Sequence, residues 1–248
     1  ERALLIVPEQ YTYEAELLLA DALDGLLGVE VYGFERLCER VLALHGRTKP
    51  FLSAQGYRMV VRRALDRKRG ALRVFGAAAA HAGFAEELRA IFGNLKRALV
   101  RPDELMALAE KLEADTPLAG KLHDNALLYR ETEDYLAARY LDADDAFNEA
   151  VGLLPESFLA GLPIYVDGLE RPNRQLYRLL EALMRTAGSL TVSLRCVRGA
   201  AADAELFEPD WRVLSALRAL AARHGAHVEE RWLGQIAGRA PLLRHIEQ

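Results

Sequence analysis

Apolar positions along the chain alternate between two spacings. Ala3-Leu-Leu-Ile-Val7, closed by Pro8, is a short unbroken apolar run of the kind a strand shows when both its faces are buried. Thr12 to Leu23 then carries apolar residues at helical spacing. Val29-Glu-Val-Tyr32 predicts a second strand, and Phe34 to Leu44 returns to the helical period with Leu37, Val41 and Leu44 on one face. From Ser53 to about Tyr140 the pattern is almost continuously helical, with breaks at Gly70, Gly76, Gly83, Pro102 and Pro117. The alternation then resumes, with strands at Leu162 to Asp167 and Leu190 to Leu194 and helices at Asn173 to Met184 and Trp211 to Arg223. Strands separated by helices imply a parallel sheet with right-handed crossovers. The pattern therefore predicts an α/β sheet domain made of residues 1–50 and 155–248, with an all-helical subdomain, 51–154, inserted into it.

Composition narrows the class. With 51% hydrophobic and 27% charged residues among 248, the chain is an ordinary globular protein and not disordered, collagenous or coiled coil. No apolar run reaches membrane length. Cys38 and Cys196 are isolated thiols without ligand spacing, so neither a zinc site nor a disulfide framework is legible and a reducing cytoplasm is expected. Because the chain opens on Glu1 rather than Met, already at a strand, a fragment with further sequence upstream is expected.

The formal net charge of -4 argues against a nucleic-acid partner, but its distribution reverses that inference. Residues 1–32 hold 1 basic and 7 acidic side chains, 33–101 hold 15 and 5, 102–170 hold 4 and 16, and 171–248 hold 12 and 8. The segment nets are thus -6, +10, -12 and +4. The basic segment includes Arg58, Arg62, Arg63, Arg67, Lys68 and Arg69, with Arg58, Arg62 and Arg69 near one helical face. Such a stripe suits a phosphate backbone. The competing reading, preferred on charge runs alone, is a solvated helix face paired against the acidic 102–170 segment.

Three short stretches carry candidate chemistry. Ile6-Val-Pro-Glu-Gln-Tyr-Thr-Tyr13 places Gln10 and Thr12 at the carboxyl end of a buried strand, the edge where open α/β sheets bind ligands. Val31-Tyr-Gly-Phe-Glu-Arg-Leu-Cys-Glu-Arg40 sets Phe34 two residues before Arg36, again just past a strand. Ile164-Tyr-Val-Asp-Gly-Leu-Glu-Arg-Pro-Asn-Arg-Gln175 puts Asp167 at a strand tip. Taken singly, Phe34 reads as a core plug and Arg36 as a carboxylate partner. Other catalytic patterns are missing from the sequence. The six His have no metal spacing, with His224 and His227 reading as surface residues. No G-x-S-x-G elbow and no G-x-x-x-x-G-K-[ST] loop occurs, and Asp142, Asp144 and Asp145 read as a solvated helix junction rather than a calcium loop.

In this order, the three stretches resemble the nucleotide-binding core of superfamily-one DNA helicases. The chain is more similar still to the N-terminal region of the AddB family, subunits of bacterial AddAB helicase-nucleases. Seven collinear segments carry the resemblance: VPEQYTYEAE, VYGFERLCERVL, PFLSAQGYRMVVRRAL, HAGFAEELRAIFGNLKR, KLHDNALLYRETEDYLAARYLDADDAF, IYVDGLERPNRQ and LTVSL. The resemblance implies a P-loop NTPase/helicase-like core whose first strand and phosphate loop are missing here. It also implies ATP with magnesium in the parent subunit and an iron-sulfur-stapled nuclease domain far downstream, with no cofactor in this fragment. It implies single-stranded DNA and an AddA-type helicase-nuclease subunit as partners, a role in processing double-strand breaks, and no membrane association.

An active helicase ends its Walker-B strand in Asp-Glu, the Asp near magnesium and the Glu orienting water. This chain has Asp167-Gly168, so a vestigial site unable to hydrolyse ATP is expected, with no catalytic residues and no metal. What the family likeness leaves is DNA contact, including the Chi hotspot in the 3′-ended strand. Gln10 and Thr12 would supply amide and hydroxyl contacts, Phe34 a stacking face and Arg36 a bidentate donor, with Arg58 and Arg62 on phosphates. Two positions depart from the family pattern, Glu39 and Leu169, each where an aromatic is expected. The alternatives are a competent ATPase core cut short and a scaffold that docks the partner subunit.

Overall fold

The computed structural model describes residues 2–46, 49–81, 83–113, 115–196 and 204–233; Glu1 and His245 lie outside the described residues. The strands are β1 (Ala3–Ile6), β2 (Val29–Tyr32), β3 (Pro163–Val166) and β4 (Ser189–Val192). They form one sheet in the order β2-β1-β3-β4, every pair parallel. Helices α1 (Thr12–Leu23), α2 (Phe34–Leu44), α8 (Arg174–Thr186) and α9 (Ala204–His224) belong to the alternating part of the chain. Between β2 and β3 lie α3 (Ala54–Lys68), α4 (Phe84–Arg97), α5 (Pro102–Glu110), α6 (Pro117–Ala137) and α7 (Ala143–Leu153).

Local chemistry sets the helix boundaries. Pro102 and Pro117 are the first residues of α5 and α6, where proline's missing N–H costs nothing and its φ is already helical. Side chains of Ser53, Thr116, Asp142 and Asn173 accept backbone N–H groups in the first turns of α3, α6, α7 and α8. The helical insertion is tied at its neck. Leu52 N–H donates to the Leu141 carbonyl at 2.9 Å and Leu141 N–H to the Pro50 carbonyl at 3.1 Å, so its entry and exit lie side by side.

Two apolar clusters result among the described residues. The first joins Leu4, Ile6, Ile164 and Val166 of the sheet to Leu37 and Val41 of α2, Ala150 and Val151 of α7, and Leu179, Leu180 and Leu183 of α8. The second packs Val61 and Leu65 of α3, Leu88 and Phe92 of α4, and Leu128, Tyr129 and Leu136 of α6, with the Phe92 and Tyr129 rings stacked at 5.0 Å. α7 therefore serves the sheet cluster, although it follows directly on the helical run.

The sheet is not buried equally on both faces, as the run Ala3 to Val7 predicts. Leu4 and Ile6 are fully buried, whereas Ala3 and Leu5 are partly exposed. The reason is lateral. On the second face Leu5 stands in register with Val31 and Tyr165, and Tyr165 with Thr191. Among the described residues α1 covers the Val31 end, leaving Tyr165 46% exposed and Thr191 exposed. No described helix is long and apolar enough to cross a membrane.

Candidate nucleic-acid interface at the carboxyl edge of the sheet

The chain leaves β1 for β2 on one side and returns, after the insertion, to β3 on the other. β1 and β3 therefore flank the position where strand addition reverses, the usual ligand position of an open parallel sheet. The loops leaving the sheet are held in register by backbone bonds from Val7 N–H to the Tyr32 carbonyl (3.0 Å), Asp167 N–H to the Ile6 carbonyl (2.9 Å) and Ser193 N–H to the Val166 carbonyl (2.9 Å). A groove of about 440 Å³ opens there, between Val7, Pro8 and α1 on one side and Asp167, Gly168 and Ser193 on the other.

The Asp167 carboxylate is exposed and accepts the Ser193 hydroxyl. Glu14, Asp167, Glu170 and Asp210 line the groove, and the basic side chain among its described lining, Arg195, is paired with Glu170 at 2.9 Å. These residues do not fit the polyphosphate of a magnesium nucleotide, because the described lining offers it a single guanidinium, already paired, and no cradle of further cations. Gly168 sharpens the point. Its φ is +69°, and a Cβ there would stand 2.9 Å from Pro8 Cδ. An L-residue is strained in that region, so a carboxylate side chain after Asp167 would carry a backbone cost as well as a close approach to Pro8.

The β1-α1 and β2-α2 loops meet through Glu9. Its Oε1 accepts the backbone N–H of Glu35 at 2.8 Å and of Arg36 at 3.3 Å, in the first turn of α2. A carboxylate there answers the partial positive charge of unpaired amides. The two pieces fit because residue 33 is glycine: a Cβ on the buried Gly33 would lie 2.0 Å from the Glu9 carboxylate. Gln10 is exposed beside this contact. Thr12 is only 9% exposed and donates its hydroxyl to the Glu9 carbonyl at 3.0 Å. Phe34 opens α2 half-buried against the sheet core, and Arg36 is exposed on the same turn.

The structure thus brings Gln10, Thr12, Phe34 and Arg36 to the edge of adjacent strands, with Asp167 one strand away. Arg58 and Arg62 lie elsewhere, on α3 of the helical body. Arg58 is exposed; Arg62 donates to the Ala79 carbonyl at 2.8 Å and pairs with Asp66 at 3.4 Å. Leu169 is buried in the sheet cluster, and Glu39 is exposed on α2 one turn after Arg36. Sequence reasoning missed Glu9, Tyr11 and Tyr13. The tyrosines are 52% and 71% exposed beside Gln10 and Thr12. Their alternation with polar residues just past an apolar strand was the available signal, whereas Glu9 became visible only once β1 and β2 were neighbours.

Much of the basic segment is consumed internally. Arg63, Arg67 and Lys68 converge on Glu131 of α6 at 3.5, 3.3 and 3.3 Å. Lys96 is buried, with its ammonium 2.9 Å from Glu133, 2.7 Å from Asp145 and hydrogen-bonded to Asp142, while Arg97 reaches Asp144 at 3.2 Å. The expectation of a solvated junction at Asp142, Asp144 and Asp145 is corrected here. Asp142 is 7% exposed and caps α7, and the cluster encloses its own cation. Burial opposes the Lys96 charge, but the three carboxylates outweigh it and raise its pKa. Burial pushes Glu133 up to about 7 against the pull of Lys96, and raises Asp145 as well, since one ammonium cannot satisfy three carboxylates. Burial pushes the Cys38 thiol up to about 12, which makes it unreactive.

An all-parallel α/β sheet with its candidate site at the strand reversal defines a broad class, and comparison narrows it. The sequence profile described as "ADDB, N-terminal" matches residues 1–247, and the chain belongs to that family. It is 36% identical over 263 aligned residues to an ATP-dependent helicase/deoxyribonuclease subunit from Moorella thermoacetica, covering 98% of this chain and 23% of that protein. Proteins of the same description from Pelotomaculum thermopropionicum and Geobacillus thermodenitrificans are 34% and 32% identical, over 99% and 98% of this chain and 22% of theirs. The chain spans under a quarter of the length of these relatives.

Proposed function

We propose that this region is a helicase-like module, incapable of ATP hydrolysis, of a two-subunit helicase-nuclease that processes DNA double-strand breaks. Its sheet edge contacts the 3′-ended single strand and reads the Chi hotspot. It works beside an AddA-type subunit that drives translocation. The observation that carries the reading is the joining of Gln10, Phe34 and Arg36 at one edge by Glu9, beside a left-handed Gly168 where a hydrolytic carboxylate would have to stand. Exposed aromatics and a free guanidinium suit a single strand, whose bases stack while its phosphates or guanines take bidentate donors. The P-loop relationship belongs to the same proposal and requires a Gly-rich loop ending in Lys-Ser or Lys-Thr upstream of β1.

The test is titration of labelled single-stranded oligonucleotides, with and without Chi, into the reconstituted two-subunit enzyme at two salt concentrations. Phe34→Ala and Arg36→Ala should each weaken binding about tenfold, roughly 1.4 kcal/mol. Unchanged affinity in both variants overturns the contact. A second reading, a scaffold that docks the partner subunit, is favoured by the apolar side chains α1 leaves in solvent, Tyr13, Leu17, Leu18 and Leu23, which are 53–71% exposed. Salt-insensitive assembly that fails when Leu17 and Leu18 become Ser would support it.

A further inference from the structure

We infer that Glu9 is a positioning residue for single-strand recognition, clamping the two contact loops into one reading surface. The inference rests on the nucleic-acid reading above and adds to it a residue that touches no DNA. Phe34 and Arg36 stand on the first turn of α2, and Gln10 follows Glu9 directly. The carboxylate bridging them is therefore the described polar link between the two loops beyond the strand ladder itself. Its grip is on backbone, at 2.8 and 3.3 Å, so it sets where α2 begins and thereby where the ring of Phe34 and the guanidinium of Arg36 point. Thr12 braces the same loop from the other side through the Glu9 carbonyl.

The geometry also separates this role from simple electrostatics. A carboxylate near a phosphate backbone repels it, so if Glu9 acted only through its charge, removing it would tighten binding. If it acts by placement, removing it loosens binding. Gly33 supplies a second handle. Its backbone (φ -83°, ψ 166°) accepts any L-residue, yet an added Cβ would overlap the Glu9 carboxylate at 2.0 Å and turn it away without changing any charge.

The experiment uses the same oligonucleotide titration in the reconstituted enzyme, with thermal unfolding of each variant as a folding control. Glu9→Ala and Gly33→Ala should each lose about tenfold in single-strand affinity. Glu9→Gln, whose amide oxygen still accepts both N–H groups, should stay within about threefold of the parent. In an Arg36→Ala background Glu9→Ala should add little, because both act through one surface. Parent-like or tighter binding by Glu9→Ala, while Phe34→Ala and Arg36→Ala weaken, overturns the positioning role alone. If those two variants bind as the parent does, the nucleic-acid reading itself falls. Should Glu9→Ala not fold, Glu9→Gln and Gly33→Ala decide the matter: equal affinities for the two overturn the inference.

Discussion

The Lys96 centre and the carboxyl edge of the sheet are both dense in charge, and they handle it in opposite ways. At the centre one buried ammonium is ringed by Glu133, Asp142 and Asp145 from two helices, every partner coming from within the chain. At the edge, Gln10 and Arg36 reach solvent, and the internal contact they depend on is a carboxylate on backbone amides. The difference shows where the segment charges go. Much of the opposition between +10 and -12 is neutralised across α3, α4, α6 and α7, so it stabilises the fold and is not available as field. The edge carries fewer charges, and they face outward.

The sharpest way to break the comparison is Lys96→Met, which keeps the volume and removes the cation. Leaving three carboxylates together should destabilise the chain by about 3–5 kcal/mol at pH 8. The loss should shrink toward pH 5. In the parent, Glu133 already has a folded pKa of about 7 against an ordinary 4.5, so its contribution is greatest below 4.5 and fades as pH rises through 7. Without Lys96 the carboxyls hold protons more tightly still, and acid restores them. Denaturant melts at the two pH values measure this; an equal loss at both would mean the centre is not coupled as described.

Asp124 is the same principle with backbone as the partner. Fully buried, it accepts the N–H groups of Arg73, Val74 and Phe75 at 2.8–3.0 Å, and these outweigh burial to hold its pKa below the usual 3.8. Asp124→Ala should cost about 2–3 kcal/mol. Because its folded pKa is depressed, the stabilisation is present above the ordinary carboxylate range and is lost as pH falls through the folded value. The variant's deficit should therefore narrow only in strong acid, in the same direction as that of Lys96→Met but at lower pH.

At the edge, Gly168→Ala should cost about 1–2 kcal/mol through its left-handed φ and the approach to Pro8. Gly168→Glu should cost at least as much and generate no ATP turnover in a complex whose partner subunit is inactivated. Turnover in that variant would show that only one side chain had been lost.

These contrasts also show what could be read in the sequence. The parallel α/β architecture and the helical run between its second and third strands follow from Ala3 to Val7, Val29 to Tyr32 and the long 3.6-residue period after Ser53, because burial imposes those spacings directly. The Gln10, Thr12, Phe34 and Arg36 stretches were legible as strand-end loops. Glu9 was not, since its role depends on β1 and β2 being neighbours and on Gly33 having no side chain. The Lys96 centre was hidden for the same reason: its four residues are drawn from positions 96, 133, 142 and 145, and local patterning of Asp142, Asp144 and Asp145 points to solvent. Half-exposure of Leu5 and Tyr165 escapes too, because periodicity reports what a strand can bury and not how much of the sheet its helices cover.

Glu131 is the intermediate case and the smallest expected effect. Three cations that are 35–58% exposed share its carboxylate at 3.3–3.5 Å, a network at the surface rather than a sealed centre. Solvent screens such pairs, and Glu131→Gln should change stability by less than about 1 kcal/mol. It would, however, release Arg67 and Lys68 into solvent and leave Arg63 held only over the Tyr135 ring, 4.3 Å from its centroid. If α3 belongs to the single-strand path together with Arg58 and Arg62, the released cations should tighten oligonucleotide binding and steepen its salt dependence, since each neutralised phosphate adds to the slope. If the path is confined to the sheet edge, affinity and slope should both stay as in the parent, and the basic segment is then a structural counterpart of the acidic one.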